Sequence, residues 1–424
     1  MIRGCALSAK VHCAHSSAAR ENGPVSEQSS PLTPSTREPS TWFSRWDPAK
    51  PLQIRVRTLL SWVLALVLGA VLFIVPMPYV VESPGPTFDV GGSYRGKEML
   101  SVSGVDPSNG GALHVDAAHE KGDGNGELRM VTVSEQGGPG RRLNLVQLIN
   151  ASLSENAQLT PYSTAYPDGV TMDQVDAAQS WMMKSSQSSA DVAALEALGW
   201  TVPATTTIRG AAEGSDAAEK VRDGDVLLSI TDEAGVVHPA DSASMVFRLV
   251  KQTPAGSVLV LRVERDGEQV ELEVETIPDE SHPQGSRLGI YLDVAPRFPL
   301  DVQVNLESVG GPSAGLVFSL AIIDKLTPGD LTGGHVIAAT GTMSYDGEVG
   351  PIGGIVQKMH GAKRDGSEWF LAPALNCDEV VGNVPEGLNV VAVTTLGEAR
   401  EAVEAIAAGQ TGKLTSCESI AAAS

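Results

Sequence analysis

Several motifs that would assign a function directly are missing from these 424 residues. No G-x-x-x-x-G-K-[ST] segment occurs, so the chain offers no phosphate-binding loop for ATP, and no nucleotide or other cofactor is expected. No cysteine or histidine recurs at the spacing of a metal site, so no metal is expected. Acidic residues outnumber basic ones by 51 to 30, and the net charge of -21 makes nucleic acid an unexpected partner.

Charged residues are absent from one long apolar run, residues 58–81 (TLLSWVLALVLGAVLFIVPMPYVV). A helix of this length, at about 1.5 Å per residue, would cross a hydrocarbon layer of about 30 Å. One alternative is a cleaved signal peptide, but its apolar core usually has about 7–15 residues and no A-x-A site follows here. A buried core helix is the other alternative. We predict a transmembrane helix.

The charges beside this run predict its orientation. Four basic residues precede it, namely Arg45, Lys50, Arg55 and Arg57, whereas acidic residues follow it. By the positive-inside rule, the N-terminus is cytoplasmic and everything after residue 81 is extracytoplasmic. We therefore expect a single-pass protein of the cell membrane whose functional part is exported.

Cysteine is scarce, with four residues in the chain. Cys377 and Cys417 are the only pair after the predicted membrane helix, where disulfides can form. A Cys377–Cys417 disulfide is our hypothesis, and two free thiols are the alternative.

Composition and periodicity predict an α+β multidomain protein. Residues 1–57 are Ser/Thr/Pro-rich and basic, which predicts a disordered cytoplasmic tail. Residues 82–185 form an α/β region without visible chemistry. A helical pattern over 172–198 predicts core positions at Trp181, Met182, Val192, Leu195 and Leu198.

Residues 186–280 have the short strands of a β-rich module. The strands 258–263 and 270–276 flank Asp266-Gly267, a pair typical of a tight hairpin. Asp223-Gly224-Asp225 leads into an apolar strand and resembles the matching segment of PDZ domains. A β-rich spacer without a ligand is the alternative.

By this resemblance the module would bind an extended peptide at a sheet edge. Leu198-Gly199-Trp200 would then bind a chain-end carboxylate, and a helix over 242–251 would form the other wall of the groove.

Residues 287–410 alternate strand and helix, and residues 411–424 are predicted to be a tail. Within 287–410, Ser313 lies at a Gly-Pro turn that opens an apolar helix, where free backbone N–H groups favour negative charge. Such a turn suits a nucleophile, because the N–H groups can hold the oxyanion of an acyl-transfer intermediate. The alternative is a plain helix-capping serine.

Lys358 is the candidate base for Ser313, since no His/Asp/Ser triad is recognisable after the membrane helix. A solvated lysine is protonated at neutral pH, but burial lowers the pKa of such an amine. Ile352, Gly353 and Gly354 precede Lys358 and favour close packing. A solvated helix lysine is the alternative.

Gly310-Gly-Pro-Ser-Ala-Gly315 and Pro351-Ile-Gly-Gly354, followed by Lys358, together resemble Lon-type serine peptidases. The resemblance covers 287–410 and implies that Ser313 and Lys358 form a catalytic dyad with the Thr340 hydroxyl beside it. A strand threonine without a role is the alternative for Thr340. Where many Lon enzymes have an acidic residue, this chain has Gly310.

Together with Val81-Glu-Ser-Pro-Gly-Pro86, the predicted order of membrane helix, PDZ domain and protease resembles a bacterial family of PDZ-containing Lon-like membrane proteases. The resemblance implies an ATP-independent serine endopeptidase for exported proteins, with protein or peptide substrates and a homo-oligomeric ring as partners. A non-catalytic PDZ scaffold and a peptidase for one dedicated partner are the alternatives.

Overall fold

The structure, a computed structural model, describes residues 56–118, 125–154, 156–279, 282, 284–306 and 309–422. The chain divides into two units, residues 1–63 and 64–424. The helices are α1 (Val56–Ile74), α2 (Leu145–Ser152), α3 (Tyr162–Ala165), α4 (Met172–Ala197), α5 (Met245–Lys251), α6 (Gly315–Leu326), α7 (Ile355–Arg364), α8 (Cys377–Val380), α9 (Leu396–Ala407) and α10 (Cys417–Ala421). The strands are β1 (Tyr79–Asp89), β2 (Ser93–Tyr94), β3 (Lys97–Glu98), β4 (Leu100–Gly104), β5 (Glu127–Gln136), β6 (Gln158–Pro161), β7 (Ala204–Ala211), β8 (Val226–Thr231), β9 (Val237–Pro239), β10 (Val258–Arg265), β11 (Glu268–Glu275), β12 (Ile277–Pro278), β13 (Ser286–Arg287), β14 (Ile290–Pro296), β15 (Leu300–Val304), β16 (Val336–Ala339), β17 (Thr342–Met343), β18 (Val349–Gly350), β19 (Trp369–Pro373) and β20 (Asn389–Val393).

Helix α1 is the one helix among the described residues that is long and apolar enough to cross a membrane. None of its 19 residues is buried. The predicted span 58–81 is wrong at its C-terminal end, because the helix stops at Ile74 before Pro76 and Pro78. Proline lacks the N–H group that a continuing helix requires. Of the predicted tail, residues 1–55 lie outside the described part of the chain.

The first sheet has six strands in the order β20-β19-β16-β5-β1-β6. Strands β20, β19, β16 and β5 run parallel, and β1 joins β5 and β6 in antiparallel pairs. The predicted boundaries at 82–185 and 287 are therefore wrong, since residues 79–161 supply three of the six strands. The pairing of β5 with β16 joins segments far apart in sequence, which local patterns do not reveal.

One face of this sheet carries α6, which is buried over all 12 of its residues and packs against α4. Val192 and Leu195 of α4 are buried in the same core cluster, as predicted. Trp181 was predicted to be a core residue, but 70 % of its surface is exposed. Helix α4 runs without a break to Ala197, so the β-rich module does not begin at residue 186.

The β-rich module forms a second sheet in the order β11-β10-β8-β7-β14, with β9 paired to β8. Its hairpin between β10 and β11 turns at Asp266 (φ 53°) and Gly267 (φ 83°), as the sequence predicted. Strand β14 was assigned to the 287–410 domain, but it pairs with β7 at the edge of this sheet.

Two residues of the segment predicted to bind a chain-end carboxylate pack against a core outside the β-rich module. Leu198 and Trp200 directly follow α4 and pack against the core cluster of α4 and α6. Leu288 and Gly289 instead precede the edge strand β14, and Leu288 lies in the core of the β-rich module.

The C-terminal segment 411–424 is not a plain tail. It contains a 3-10 turn (Thr411–Lys413) and α10, and the Ala392 N–H donates to the Thr415 carbonyl over 2.8 Å. The structure has the hypothesised disulfide between Cys377 and Cys417, which joins α8 to α10.

Asp191 is a buried carboxyl group on α4 with 8 % of its surface exposed. Burial raises its pKa from 3.8 to about 8. Between these values the folded chain holds a proton that the unfolded chain releases, so stability falls by up to about 1.4 kcal/mol per pH unit as pH rises. We expect the free energy of unfolding to decrease from about pH 5 to 8 in the wild type, and this slope to flatten in Asp191→Asn.

Urea unfolding of the full chain at several pH values measures both slopes. Asp176→Asn, an exposed position of the same helix, is the matched control and should keep the wild-type slope. The same slope in all three proteins would contradict the expectation.

Candidate active site

Ser313 lies in a turn that is attached to α4 just before α6 begins. Gly311 adopts φ 92°, a left-handed conformation that favours glycine, and its N–H donates to the Gln179 carbonyl over 3.2 Å. The Ser186 hydroxyl donates to the Pro312 carbonyl over 2.8 Å. These two hydrogen bonds fix the backbone on both sides of the turn.

Two glycines of this turn are in close contact with their neighbours. A Cβ atom at Gly310 would lie 2.6 Å from the Cβ of Gln179, and one at Gly315 would lie 2.8 Å from the Met343 nitrogen. Both contacts are too short for a side chain. Close packing on α4 thus accounts for glycine at position 310, where the resemblance would place an acidic residue.

The backbone of Ser313 is held by the end of strand β16. The Ser313 carbonyl accepts hydrogen bonds from the Thr340 hydroxyl and the Gly341 N–H, each over 3.0 Å. Thr340 is fully buried. The resemblance implies that the Thr340 hydroxyl lies beside the dyad, and in the structure this hydroxyl donates to the backbone of Ser313.

Lys358 lies in the first turns of α7, which matches the predicted helix. Gly354, at φ 67°, starts the helix, and a Cβ there would lie 2.7 Å from the Val133 side chain. The Asn376 side chain bonds both the N–H and the carbonyl of Ile352 over 2.9 Å each. The turn before α7 is therefore fixed, and only 4 % of Lys358 is exposed.

The charge state of Lys358 is set by burial and by one carboxylate. Burial lowers the pKa of the amine, and the negative charge of Glu82 opposes this effect. The resulting pKa is about 8, against the ordinary value of 10.5. A substantial fraction of the amine is therefore neutral just above neutral pH, as a base requires.

Ser313 and Lys358 line one cavity of 1320 Å³. Another wall of the cavity comes from β1, β5 and the segments that follow these strands. Glu82, Glu135 and Tyr166 belong to this wall. Three arginines also line it, and we call them the rim arginines: Arg95, Arg141 and Arg142.

The sequence analysis did not predict this wall, because it found no chemistry in residues 82–185. The one available signal was the Val81-Glu-Ser-Pro-Gly-Pro86 segment, which the resemblance had singled out. Its Pro84 and Gly85 carbonyls accept hydrogen bonds from Arg364 at the end of α7. This segment therefore contacts the helix that carries Lys358.

Gly311–Gly315 also fits the G-x-S-x-G pattern of α/β-hydrolases, which use a histidine base. The described residues that line the cavity include no histidine. His335 instead pairs with Glu368 over 2.7 Å. His360 does not line the cavity.

Comparisons with known proteins identify the class of the C-terminal region. Residues 307–406 match the family profile of the Lon protease (S16) C-terminal proteolytic domain. Lon protease of Helicobacter pylori is 31 % identical over 163 residues, which cover 36 % of this chain and 19 % of that protein. Lon protease 2 of Bacillus subtilis is 31 % identical over 103 residues, 23 % of this chain and 18 % of that protein.

The chain thus spans at most about a fifth of the length of these relatives. Two solved structures also share weak similarity with it, each with a TM-score of 0.18 and covering 20 % of this chain. One is the PDZ domain of an SdrC-like protein from Listeria monocytogenes, 14 % identical over 85 % of that chain. The other is a protein from Geobacillus thermodenitrificans, 24 % identical over 92 % of that chain.

The Lon matches show that this chain carries a serine-type peptidase domain, and such a domain acts on proteins or peptides. The fold around it is mixed α/β with a β-rich part.

Proposed function

We propose that this chain is an ATP-independent serine endopeptidase with Ser313 as nucleophile and Lys358 as general base. The observation that supports it best is that one cavity contains both side chains, with Lys358 buried and its pKa lowered to about 8. The 424 residues contain no ATP-binding motif, which favours cleavage without ATP.

In this mechanism neutral Lys358 takes the hydroxyl proton of Ser313 as the serine oxygen attacks the substrate carbonyl. N–H groups at the start of α6 lack helical partners and would stabilise the oxyanion. The lysine ammonium then gives its proton to the leaving amine, and water hydrolyses the acyl-enzyme. Thr340 would position the Ser313 backbone through its hydrogen bond.

The domain arrangement that we propose differs from the sequence prediction. The peptidase domain would comprise residues 79–200 and 298–422, and the PDZ-like module, residues 201–297, would be an insertion between α4 and β15. The first sheet supports this division, because its strands come from both sides of the insertion.

We further propose that α1 crosses the cell membrane and that the peptidase lies on the extracytoplasmic side. The basic residues before α1 and the disulfide between Cys377 and Cys417 both favour an exported domain. The substrates would then be unfolded or partly extended exported proteins.

The PDZ-like module would deliver substrate or control access to Ser313. Its edge strand β14 offers a site for an extended peptide, and α5 lies in the same small core. The module also contacts the loop between β17 and β18. The Lys251 amine of α5 bonds Asp346 and Glu348 over 2.5 Å each, and the rings of Phe247 and Tyr345 are 5.7 Å apart.

Lys251→Met should therefore change cleavage of proteins more than cleavage of short peptides. It would leave the buried Asp346 carboxylate without its cation, which costs about 3 kcal/mol, whereas Glu348 keeps its contact with His282 over 2.9 Å. We expect the cleavage rate of unfolded casein to fall several-fold, while that of a short peptide stays near the wild-type rate. Lys220→Met, inside the module, is the matched control, and equal effects on both substrates would argue against the delivery role.

The direct test of the proposed function is cleavage of unfolded casein by the full chain in detergent micelles, with and without ATP. Equal cleavage in both conditions is expected. Cleavage only with ATP would exclude the ATP-independent mechanism. Binding of exported protein tails without cleavage would favour the alternative, a non-catalytic PDZ scaffold that uses the edge of β14.

A further inference from the structure

Glu82 lines the cavity, and it lies in the Val81-Glu-Ser-Pro-Gly-Pro86 segment, to which no chemical role has been assigned. It lies on β1 directly opposite Glu135 of β5 in the antiparallel register, with Gln158 of β6 on its other side. Both carboxyl groups line the cavity that contains Ser313 and Lys358. Like charges directly opposite each other destabilise a sheet, so a role outside stability is expected for this pair.

The strand that carries Glu82 is fixed to the helix that carries Lys358. Arg364 donates to the Pro84 and Gly85 carbonyls over 3.2 and 2.8 Å. The Asp365 carboxylate accepts from the Thr87 N–H and hydroxyl over 3.2 and 3.0 Å. These contacts hold α7 against β1, so they connect the two elements that carry Lys358 and Glu82.

Among the groups around Glu82, Lys358 is the one whose charge favours the ionised form of this carboxyl group. Burial and the neighbouring Glu135 raise the pKa of Glu82, whereas Lys358 lowers it. Tyr166, with 7 % of its surface exposed, donates its hydroxyl to Glu135. The Glu135 oxygen is thus engaged by Tyr166, and Lys358 is the cation whose charge acts on Glu82.

We propose that Glu82 is a positioning residue of the Ser313/Lys358 dyad, whose carboxylate stabilises the ammonium that forms on Lys358. The proton moves from the Ser313 oxygen to the Lys358 nitrogen during attack, so a positive charge appears in a desolvated cavity. A carboxylate that lines the same cavity offsets the cost of that charge. The inference rests on the proposed function, because it assigns a partner to the proposed base.

The other ionisable groups around Lys358 do not replace Glu82 in this role. Glu379 lines the cavity but accepts a hydrogen bond from Asn376 over 2.9 Å. The rim arginines are positive and would oppose an ammonium. Tyr166 is uncharged at working pH, because burial and Glu135 raise the pKa of its hydroxyl.

The test compares Glu82→Gln with Glu82→Asp in the full chain in detergent micelles. For Glu82→Gln we expect kcat at about pH 9 to fall about tenfold with KM nearly unchanged, and the rising limb of the pH profile to move to lower pH. Glu82→Asp keeps the charge and should restore the wild-type limb. Glu401→Gln on the exposed face of α9 is the control.

A second measurement does not need activity. In the Ser313→Ala background, the pH midpoint for acetylation of Lys358 by acetic anhydride, followed by mass spectrometry, reports the pKa of its amine. We expect Glu82→Gln to lower this midpoint and Glu82→Asp to leave it near that of the parent. Equal midpoints in all three proteins would overturn the role of Glu82 even if the dyad is confirmed. Full activity of Ser313→Ala would instead overturn the dyad and leave the midpoint result standing.

Discussion

Replacement of Ser313 by alanine should reduce peptidase activity at least about 1000-fold, because it removes the proposed nucleophile. Lys358→Met should cause a loss of similar size, since an apolar side chain of similar length fills the site without accepting a proton. The double variant should lose no more than either single one, as expected for two groups that act as a unit. The measurement is the cleavage rate of unfolded casein and of a fluorogenic peptide.

Lys358→Arg is the informative conservative change. Arginine keeps the positive charge but stays protonated at every working pH, so it should be as inactive as Lys358→Met. Ser419→Ala and Lys413→Met, both at exposed positions, are the matched controls and should keep wild-type activity. Residual activity equal to the wild type in the Ser313 and Lys358 variants would end the dyad hypothesis.

The same dyad predicts the sign of the pH dependence. Only the neutral amine accepts a proton, and the pKa of Lys358 is about 8. The value of kcat/KM should therefore be low at about pH 6, rise through about pH 8 and level off above it. A rate that does not change over this range would be incompatible with a lysine base.

Loss of the Cys377–Cys417 disulfide should have the largest effect on stability among the changes considered. The bond closes a loop with a sequence separation of 40, and a crosslink over such a loop stabilises the folded chain by about 4 kcal/mol in the chain-entropy account. The variant Cys377→Ser/Cys417→Ser should lose about 2–4 kcal/mol of unfolding free energy in urea titration.

Loss of the disulfide should also destabilise the active site. Asn376, the residue before Cys377, holds the turn at Ile352, and α8 packs against α7. Activity of the double serine variant should fall with temperature before that of the wild type. Cys5→Ser/Cys13→Ser, near the N-terminus, is the control. An unchanged urea midpoint after complete reduction of the wild type would contradict the expectation.

Local chemistry made the helix around Lys358 and the turn around Ser313 predictable. Ile352, Gly353 and Gly354 predict close packing before the helix of Lys358, and Gly310-Gly-Pro-Ser-Ala-Gly315 predicts a turn that opens an apolar helix. The hairpin at Asp266-Gly267 was equally readable, because both residues tolerate positive φ. Each of these features depends on residues within a few positions of one another.

The errors concern contacts between distant segments. Strand β14 has the alternation of a half-buried strand, but nothing in its sequence states that its partner is β7. Trp181 fits a helical period, yet the period does not tell which turns of α4 extend beyond the core. The sequence predicts no role for Glu82 in the cavity, because its position opposite Glu135 depends on the pairing of β1 with β5.

Strand β1 begins at Tyr79, shortly after α1 ends at Ile74, and Glu82 follows three residues later. Even fully extended, the eight residue steps from Ile74 to Glu82 reach only about 29 Å. With α1 anchored in a bilayer, this short connection would keep Glu82, and therefore the wall of the cavity that it lines, within about 3 nm of the membrane end of α1. Polypeptides emerging from the membrane would lie within its range, whereas a cleavage site held farther away would have to bend back toward the lipid.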